Sequence, residues 1–357
     1  MKLGIVGTGN ISSRHLDEFQ KIENVKIEAV CDTNEKNLNK FINNNKINNT
    51  RGYSTLEEML EKEEYFDGIS NTTPDKFHKE TTLKILEKGY NIFCEKPLAE
   101  NYEDAKKMVE AAVSAEKINM VNFTYRESSA YQKLVEIIQS GDIGKPRHVS
   151  ACYYQSWLAS NKWGEWREED KWLWRLSTQH GSNGALGDTG VHIFDFAVNA
   201  VGDIKEIFAD LKTYHDKGEK IKDYILDAND GFNSLVRFEN GAIGTVNATR
   251  FATGYKNRLE LRIFGDKGAV KIEFDDAIAE GNKFMFTKDT QRQLSGKEDN
   301  LKWEEIQCEP SQTNFEKFIE AIKNNKNDEP DFYRGAEIQN ILDKCFESSE
   351  NGQWIDV

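Results

Sequence analysis

The chain has 357 residues, of which 30% are charged and 38% are hydrophobic, and its formal net charge at pH 7 is −14. This length exceeds what one ordinary hydrophobic core requires and predicts two domains. The acidic charge and the lack of basic clusters exclude nucleic acid as an expected partner, and no apolar run reaches the ~18 residues of a membrane span.

The cysteines indicate a reducing compartment. No two of them form a CxxC motif, and they are far apart: Cys31, Cys94, Cys152, Cys308 and Cys345. We expect buried, reduced thiols in a cytoplasmic protein. A nucleophilic role for Cys94 is the alternative, but its side chain should point away from its neighbours in a strand.

Strands and helices alternate through the first 125 residues. The predicted strands are residues 2–7, 25–30, 66–70, 90–94 and 120–123, and the predicted helices are residues 11–23, 34–44, 56–62, 76–88 and 102–116. This alternation is typical of an α/β Rossmann domain, a doubly wound parallel sheet.

Beyond Tyr125 the predicted elements are mostly strands. After a helix at 129–139, strands are predicted at 147–157, 205–213, 232–238, 243–250, 257–264, 268–273 and 302–308, with helices at 190–200, 312–325 and 334–349. Turn signals lie at 239–241, 265–268 and 280–282. This pattern predicts an α+β domain with a mostly antiparallel sheet. We therefore predict a first domain over residues 1–125 and a second over residues 126–357.

A glycine-rich loop follows the first predicted strand. In residues 7–12, Gly7 permits a tight turn and Gly9 lets a pyrophosphate approach the backbone, while the next helix directs its N–H groups at the phosphate. Ser12 stands where the dinucleotide-binding fingerprint has its third glycine, a mild departure. The loop alone is weak evidence, but its position between a strand and a helix predicts a nucleotide site.

Asp32 ends the second predicted strand, at the distance from the loop that a ribose-binding carboxylate requires. A carboxylate there accepts hydrogen bonds from ribose hydroxyls and repels a 2′-phosphate. We therefore expect NAD as the cofactor and keep NADP as the alternative. A helix-capping role for Asp32 is the structural alternative.

Lys96 comes shortly after the strand predicted at 90–94, within the sequence Glu95-Lys96-Pro97. Ligands of open α/β sheets bind beyond the carboxyl ends of the strands, so Lys96 is expected at ligand level. Pro97 disfavours helical backbone at Lys96. An isolated lysine is ordinarily a solvated surface residue, so Lys96 becomes a catalytic candidate only in combination with other ionisable groups.

Residues 188–195 contain a second ionisable cluster. If a helix begins here, Asp188, His192 and Asp195 are at i, i+4 and i+7, on one face. The pattern alone leaves three interpretations open: a catalytic pair, a helix cap with a core histidine, and a metal site without a further histidine or thiol at ligand spacing. In alcohol oxidation, His192 would be the base, Lys96 would stabilise the oxygen, and Asp188 would orient the histidine and bind a hydroxyl.

These motifs together resemble the Gfo/Idh/MocA family of oxidoreductases, and the resemblance covers essentially the whole chain. It rests on the loop at 7–11 with His15, Thr73-Pro74 with His78, the segment 95–99, Asn122-Phe123 with Arg126, and the segment 184–195. The family implies a Rossmann domain followed by a domain with an open, mostly antiparallel sheet. It also implies sugar or cyclitol substrates, and homodimers or homotetramers formed through that sheet.

The resemblance assigns the site residues. Catalysis falls to Lys96, Asp188 and His192. Cofactor binding is assigned to Gly7, Thr8, Gly9, Asn10, Ile11, Asp32, Thr73, His78, Glu95, Lys96 and Asn122. Substrate binding is assigned to Lys96, Arg126, Tyr154, Trp174, Arg175, Asp188 and His192, and no metal is expected.

Five of the seven tryptophans lie between Trp157 and Trp174. Aromatic faces pack against the C–H faces of sugars, so this segment is a candidate sugar platform. A packed or oligomer-forming loop is the alternative. Residues 155–157 and 174–175, with the segment 250–257, are similar to the sugar-oxidising branch that includes levoglucosan dehydrogenase.

Three functions are compatible with these motifs. The first is a reversible NAD-dependent dehydrogenase of a sugar, anhydrosugar or cyclitol. The second is a glycosidase that oxidises its substrate transiently with bound NAD. The third is a non-catalytic regulator that senses NAD and a metabolite, and the presence of Lys96, Asp188 and His192 disfavours it.

Overall fold

A computed structural model describes residues 1–47, 49–274, 283–288 and 303–357. Within them the chain divides into two compact units, one of residues 1–124 and 312–339 and the other of residues 125–311 and 340–357. The units differ from the predicted domains at residue 125, which belongs to the second unit, and in the segment 312–339, which belongs to the first.

The first unit contains a parallel sheet of six described strands, in the order β3-β2-β1-β4-β5-β6. These strands are β1 (Lys2–Val6), β2 (Lys26–Cys31), β3 (Arg51–Tyr53), β4 (Gly68–Asn71), β5 (Asn91–Cys94) and β6 (Asn119–Val121). The helices are α1 (Ser12–Lys21), α2 (Glu35–Asn44), α3 (Leu56–Lys62), α4 (His78–Glu87) and α5 (Tyr102–Ser114). The predicted Rossmann sheet is confirmed, and the three-residue β3 is an addition to it.

The second unit contains a mixed sheet of nine described strands, in the order β16-β15-β14-β13-β7-β12-β11-β8-β17. Only β7 and β12 run parallel among the described pairs of this sheet. The strands are β7 (Pro146–Gln155), β8 (Ile204–Lys212), β9 (Lys220–Ile221), β10 (Tyr224–Ile225), β11 (Gly231–Phe238), β12 (Ile243–Thr249), β13 (Asn257–Gly265), β14 (Gly268–Phe274), β15 (Lys283–Lys288), β16 (Glu304–Ile306) and β17 (Ile355–Asp356), of which β9 and β10 pair separately. The predicted antiparallel-rich sheet is confirmed.

Helices α6 (Ser129–Gln139), α7 (Asp170–Leu173) and α8 (Val191–Val201) belong to the second unit. A π-helical turn, Leu186–Gly190, leads directly into α8. Short 3₁₀ helices lie at Asp75–Phe77, Thr124–Glu127, Asn161–Trp163, Trp174–Leu176 and Thr178–His180. The turn predicted at 280–282 lies outside the described residues.

The C-terminal part of the chain returns to the first unit. Helix α9 (Asn314–Asn324) begins with a capping box between Thr313 and Glu316. It buries Phe315, Phe318 and Ile319 in the core cluster that also contains residues of β1, α1 and β5. This apolar face explains why 312–339 belongs to the first unit. Helix α10 (Phe332–Asn351) then runs from the first unit into the second.

Candidate active site

The loop after β1 begins with a glycine whose backbone excludes side chains. Gly7 has a φ of +88°, and a Cβ added there would lie 2.7 Å from the backbone oxygen of Thr72. In contrast, nothing lies within 4 Å of where a Cβ would stand on Gly9. The backbone at Gly9 is therefore open to a close approach, as a pyrophosphate requires.

Helix α1 begins at this loop without a side-chain cap. Its N-cap residue is Ile11, which has no side-chain acceptor, and residues 9–11 are exposed. Ser12 is buried, and its hydroxyl donates to the oxygen of Gly9 at 2.6 Å. Because the first N–H groups of a helix have no partner within it, and the helix dipole favours an anion, the loop fits a dinucleotide phosphate.

Asp32 ties the loop to the end of β2. Its Oδ2 accepts hydrogen bonds from the backbone N–H and the hydroxyl of Thr8, both at 2.7 Å. Its Oδ1 accepts from the N–H of Asn34 at 2.7 Å, and Asn34 itself caps α2. The capping alternative for Asp32 is therefore wrong, because Asn34 occupies that position. The Asp32 carboxylate instead lies beside the loop.

A buried polar network lies behind Lys96. Oε1 of Glu95 lies 2.7 Å from Nε2 of His15 and accepts from Nδ2 of Asn122 at 2.7 Å. Nδ1 of His15 lies 2.7 Å from Oγ of Ser70. Burial alone would raise the pKa of Glu95, but the hydrogen bonds from His15 and Asn122 and the charge of Lys96 lower it to about 2. Glu95 is thus an ionised carboxylate in the interior.

His78 joins the loops that come after β4 and β5. Its Nδ1 lies 2.8 Å from the carbonyl oxygen of Pro97, and its Nε2 lies 2.8 Å from that of Thr73. Carbonyl oxygens only accept hydrogen bonds, so both ring nitrogens must donate and the imidazole carries both protons. Burial alone would lower the pKa of His78, but Cys94, Asp75 and the Pro97 carbonyl raise it to about 10.

These placements divide the predicted cofactor residues into two groups. The side chains of Glu95, His78 and Asn122 are buried, so we expect them to act on a cofactor through the loops that they hold. Lys96 is partly exposed at the end of β5, and its N–H donates to Oε2 of Glu95 at 3.2 Å. Cys94 is fully buried, which leaves its thiol inaccessible as a nucleophile.

In the second unit, a π-helical turn carries Asp188. The turn is held at its start by Asn229, whose Oδ1 accepts from the N–H of Leu186 at 2.9 Å and whose backbone oxygen accepts from that of Ala185 at 2.8 Å. A π turn is wider than an α turn, so the predicted i, i+4, i+7 face, which assumed an α-helix from Asp188, is wrong in its geometry.

Asp188 and Asp195 pair with different arginines. Oδ2 of Asp188 accepts from Nη2 of Arg250 at 3.2 Å. Asp195 accepts from Nε and Nη2 of Arg126 at 2.8 and 2.6 Å, and both of these side chains are buried. Because Arg126 makes this bidentate pair, it anchors α8 rather than presenting its guanidinium at a surface, in contrast to the substrate contact predicted for it.

His192 is buried beside two tyrosines. Its ring centroid lies 4.5 Å from that of Tyr125 and 6.4 Å from that of Tyr153. The two tyrosine hydroxyls are hydrogen bonded to each other. Burial, Tyr125 and the charge of Asp188 raise the pKa of Tyr153 well above its usual range, so Tyr153 is a neutral hydroxyl near Asp188.

Tyr154 lies on the other face of β7. Consecutive side chains of a strand alternate between faces, so Tyr153 faces His192 while Tyr154 lies 5.9 Å from the ring of Tyr255. The side chain of β7 that faces His192 is therefore Tyr153, one residue before the Tyr154 that was predicted to contact substrate.

The tryptophans pack mainly against one another. Trp157 and Trp166 are buried in a cluster with Leu158, Leu173, Leu176 and Leu226, and Trp163 and Trp172 pack against it. Trp157 stacks on Trp172 with 5.3 Å between the ring centroids. The packed-loop alternative thus describes these four rings. Trp174 remains partly exposed, with Arg175 4.6 Å from its centroid.

Two family models match the chain in succession. Residues 1–123 match the oxidoreductase family with an NAD-binding Rossmann fold, and residues 131–271 match the GFO/IDH/MocA C-terminal domain. The chain belongs to the Gfo/Idh/MocA family. As a member, this Gfo/Idh/MocA protein is an NAD(P)-dependent oxidoreductase.

Named relatives of this Gfo/Idh/MocA protein include two curated enzymes. Levoglucosan dehydrogenase of Pseudarthrobacter phenanthrenivorans is 28% identical over 317 residues, covering 81% of this chain and 79% of the relative. Myo-inositol 2-dehydrogenase of Thermotoga maritima is 28% identical over 284 residues, covering 78% and 76%. The solved structure of levoglucosan dehydrogenase with NADH and L-sorbose has the same fold, with a TM-score of 0.85, 22% identity, and coverage of 100% of this chain and 98% of that one.

Sequence reasoning about this Gfo/Idh/MocA protein missed three side chains of the second unit: Tyr125, Tyr153 and Arg250. Strand alternation in β7 was the available signal for Tyr153. Arg250 begins the segment 250–257 that was already compared with the sugar-oxidising branch, and Tyr125 had no signal. Within the described ranges, no group of three or more candidate ligands could hold a metal ion. No helix in the same ranges has both the length and the apolar character of a membrane span.

Proposed function

We propose that this protein is an NAD-dependent dehydrogenase that oxidises a secondary hydroxyl of a sugar, anhydrosugar or cyclitol. The observation that carries the proposal is the pair Asp188 and His192 on one continuous π-to-α segment, the first held by arginine and the second packed among tyrosines. A fixed carboxylate and imidazole in a chain whose glycine loop fits a dinucleotide support alcohol oxidation.

In this reaction His192 takes the proton of the substrate hydroxyl as general base. The ammonium group of Lys96 donates a hydrogen bond to the same oxygen and stabilises its developing negative charge. Asp188 accepts a hydrogen bond from a neighbouring substrate hydroxyl and helps to orient His192. NAD, when bound, supplies the nicotinamide ring that accepts the hydride.

The loop at 7–11 would hold the pyrophosphate, and Asp32 would accept hydrogen bonds from the ribose. The open backbone at Gly9 and the uncapped start of α1 support the first assignment. The carboxylate of Asp32, fixed by Thr8, supports NAD over NADP, because a 2′-phosphate there would meet a like charge. Thr73 comes after β4 at the same edge of the sheet.

The substrate class is drawn from the relatives' names, which are sugar and cyclitol dehydrogenases. Trp174 and Arg175 were predicted to bind substrate, and both are partly exposed. Because Nε of Arg175 lies 3.7 Å from Oδ2 of Asp188, the two residues support a polyol site beside Asp188. Lys96, Asp188 and His192 complete the set that we propose to contact the reacting part of the substrate.

The test is an NADH absorbance assay with NAD or NADP and a panel of aldoses, anhydrosugars, sugar phosphates and inositols. Absorbance that rises with one compound establishes the dehydrogenase and its substrate class. A flat trace with every compound, from protein that binds NAD in a separate titration, contradicts the proposal. Aryl glycosides then distinguish a glycosidase, which releases the aglycone without net NADH, from a regulator.

We also propose that the large sheet mediates self-association. Ile243, His148 and Phe264 stand directly opposite one another on neighbouring strands, and all three are exposed. Leu235 on β11 extends this partly apolar face and is 48% exposed. A homodimer or homotetramer would cover it. Light scattering should give a multiple of the chain mass that Ile243→Asp reduces, and a monomeric wild-type protein would contradict the assignment.

A further inference from the structure

Arg250, which comes directly after β12, is a charged side chain with no solvent exposure. Its Nη2 donates to Oδ2 of Asp188 at 3.2 Å, and its Nη1 donates to the backbone oxygen of Arg175 at 3.1 Å. Its guanidinium carbon lies 5.0 Å from the ring centroid of Trp157. Arg250 thus connects the π turn to the tryptophan cluster.

The indole beneath Arg250 is itself fixed. Nε1 of Trp157 donates to Oε1 of Gln155 at 3.1 Å, and Nε2 of Gln155 donates to Oδ1 of Asn257 at 2.9 Å. Trp157 also stacks on Trp172. Because Trp157 is held by its hydrogen bond to Gln155 and by its stack on Trp172, it gives the guanidinium a rigid aromatic surface.

Two guanidinium groups lie close to the carboxylate of Asp188. A second guanidinium, that of Arg175, has its Nε 3.7 Å from the same Asp188 oxygen. Asp230 also acts on the charge of Arg250 and lies 3.7 Å from His215, while Tyr153 contributes a neutral hydroxyl near Asp188. The Asp188 carboxylate therefore faces two guanidinium groups.

Burying Arg250 is costly, which argues against a purely structural role. Burial lowers the pKa of Arg250 despite the opposing charges of Asp188 and Asp230. Its Nε finds no hydrogen-bond partner among the described residues. A buried ion pair of this kind is often no more stable than apolar residues of the same volume, so its retention needs another reason.

We propose that Arg250, seated on Trp157, is a positioning residue that fixes the Asp188 carboxylate in the orientation that receives a substrate hydroxyl. The substrate part of this inference rests on the proposed function. It gives the tryptophan segment a role that the sugar-platform interpretation did not. Trp157, packed within the tryptophan cluster, supports a buried guanidinium, and that guanidinium holds the carboxylate.

The test compares Arg250→Gln with a matched control. Arg167 makes the same two kinds of contact elsewhere in the unit, 4.5 Å from the ring centroid of Trp166 and 3.3 Å from Oε1 of Glu219. We expect Arg250→Gln to lower kcat/KM by roughly 10- to 100-fold, as misplacement of a reacting group does, and Arg167→Gln to stay within about twofold of wild type. NADH binding should be unchanged in both.

The pH dependence separates positioning from loss of fold. Loss of the Arg250 charge removes a positive charge from beside Asp188 and the base that it orients, so the acidic limb of kcat/KM should move to higher pH in Arg250→Gln. Trp157→Phe keeps the arginine but removes the Nε1 donor, and it should move the same limb less. This milder variant carries the test if Arg250→Gln does not fold.

A readout without activity keeps this inference distinct from the proposed function. In protein labelled with ¹³C at the aspartate carboxyls, the Asp188 signal, assigned by its loss in Asp188→Asn, should titrate at higher pH in Arg250→Gln than in wild type. This shift is expected even if no polyol is oxidised, in which case the proposed function alone fails. A folded Arg250→Gln, or Trp157→Phe in its place, with an unmoved Asp188 titration overturns the positioning role.

Discussion

The carboxylate of Glu95 lies 2.7 Å from Nε2 of His15, and both side chains are buried in the first unit. The pair connects the helix that begins at the glycine-rich loop with the strand end that carries Lys96. An ionised carboxylate in this position links the stability of the unit to pH.

We expect Glu95→Gln to reduce the free energy of unfolding at neutral pH by about 3 kcal/mol, the equivalent of a pKa lowered from 4.5 to about 2. Because the folded-state pKa is lowered, the stabilisation is present above the unfolded-state pKa and is lost as the pH falls through about 2. Urea unfolding at a series of acidic pH values measures this. Glu80→Gln, at an exposed position, is the control. If the free energy of unfolding falls with pH as steeply in Glu95→Gln as in wild type, Glu95 is not the ionised group responsible.

His78 should remain doubly protonated at about pH 8, where a histidine with an ordinary pKa is neutral. Its raised pKa means that its stabilisation is complete below the unfolded-state pKa of 6.5 and is lost as the pH rises through about 10. Imidazole ¹⁵N shifts report the protonation directly. Free imidazole at the same pH provides the neutral reference, and an unprotonated ring nitrogen on His78 would contradict the double donation to Thr73 and Pro97.

Lys96→Ala and His192→Ala should each lower kcat by at least ~100-fold while NADH still binds, because both are proposed to act on the reacting oxygen. Steady-state kinetics and NADH fluorescence titrations separate the two effects. Turnover close to wild type in either variant removes that residue from the mechanism.

Asp32→Asn should raise the ratio of kcat/KM with NADP to that with NAD by roughly tenfold, since it removes the charge that would repel a 2′-phosphate. The amide oxygen can still accept from Thr8, which preserves the loop. The two coenzymes are compared at one substrate concentration, and an unchanged ratio would refute the role of Asp32 in coenzyme choice.

Tyr153→Phe should lower kcat/KM by roughly tenfold, because it removes a hydroxyl bonded to Tyr125 beside His192. Tyr154→Phe is the matched control one residue away, on the opposite face of β7, and should stay within about twofold of wild type. If Tyr154→Phe lowers kcat/KM more than Tyr153→Phe does, the role assigned to Tyr153 is wrong.

The sequence predicted five of the six described strands of the first sheet, because their apolar runs and the helices between them are local features. The three-residue β3 is too short to give such a signal. The loop at 7–11 and the position of Lys96 derive from the order of these elements, and the structure places both at strand ends. The roles of Glu95 and His78 could not be predicted in this way. The partner of Glu95, His15, is remote in the sequence, and His78 contacts a backbone oxygen, that of Thr73.

In the second unit, side-chain periodicity was the limiting assumption. A π turn at Asp188 has no distinct residue pattern, so an α-helical face was the natural expectation. The concentration of tryptophans between 157 and 174 did not show whether the rings bind a sugar or form a core, since indole rings suit both. The packing of four rings in one cluster and the position of Arg250 above Trp157 distinguish the two uses.

The return of 312–339 to the first unit has a consequence for dissecting the protein. A fragment ending at residue 124 would leave Phe19 and Phe93 without Phe315, whose ring centroid lies 5.0 Å from each of theirs. Such a fragment would expose an aromatic surface and tend to aggregate. An autonomous nucleotide-binding fragment would therefore be made by joining residues 1–124 directly to 312–339. Residues 125–311 are removed in this design, as an inserted domain is removed from its host.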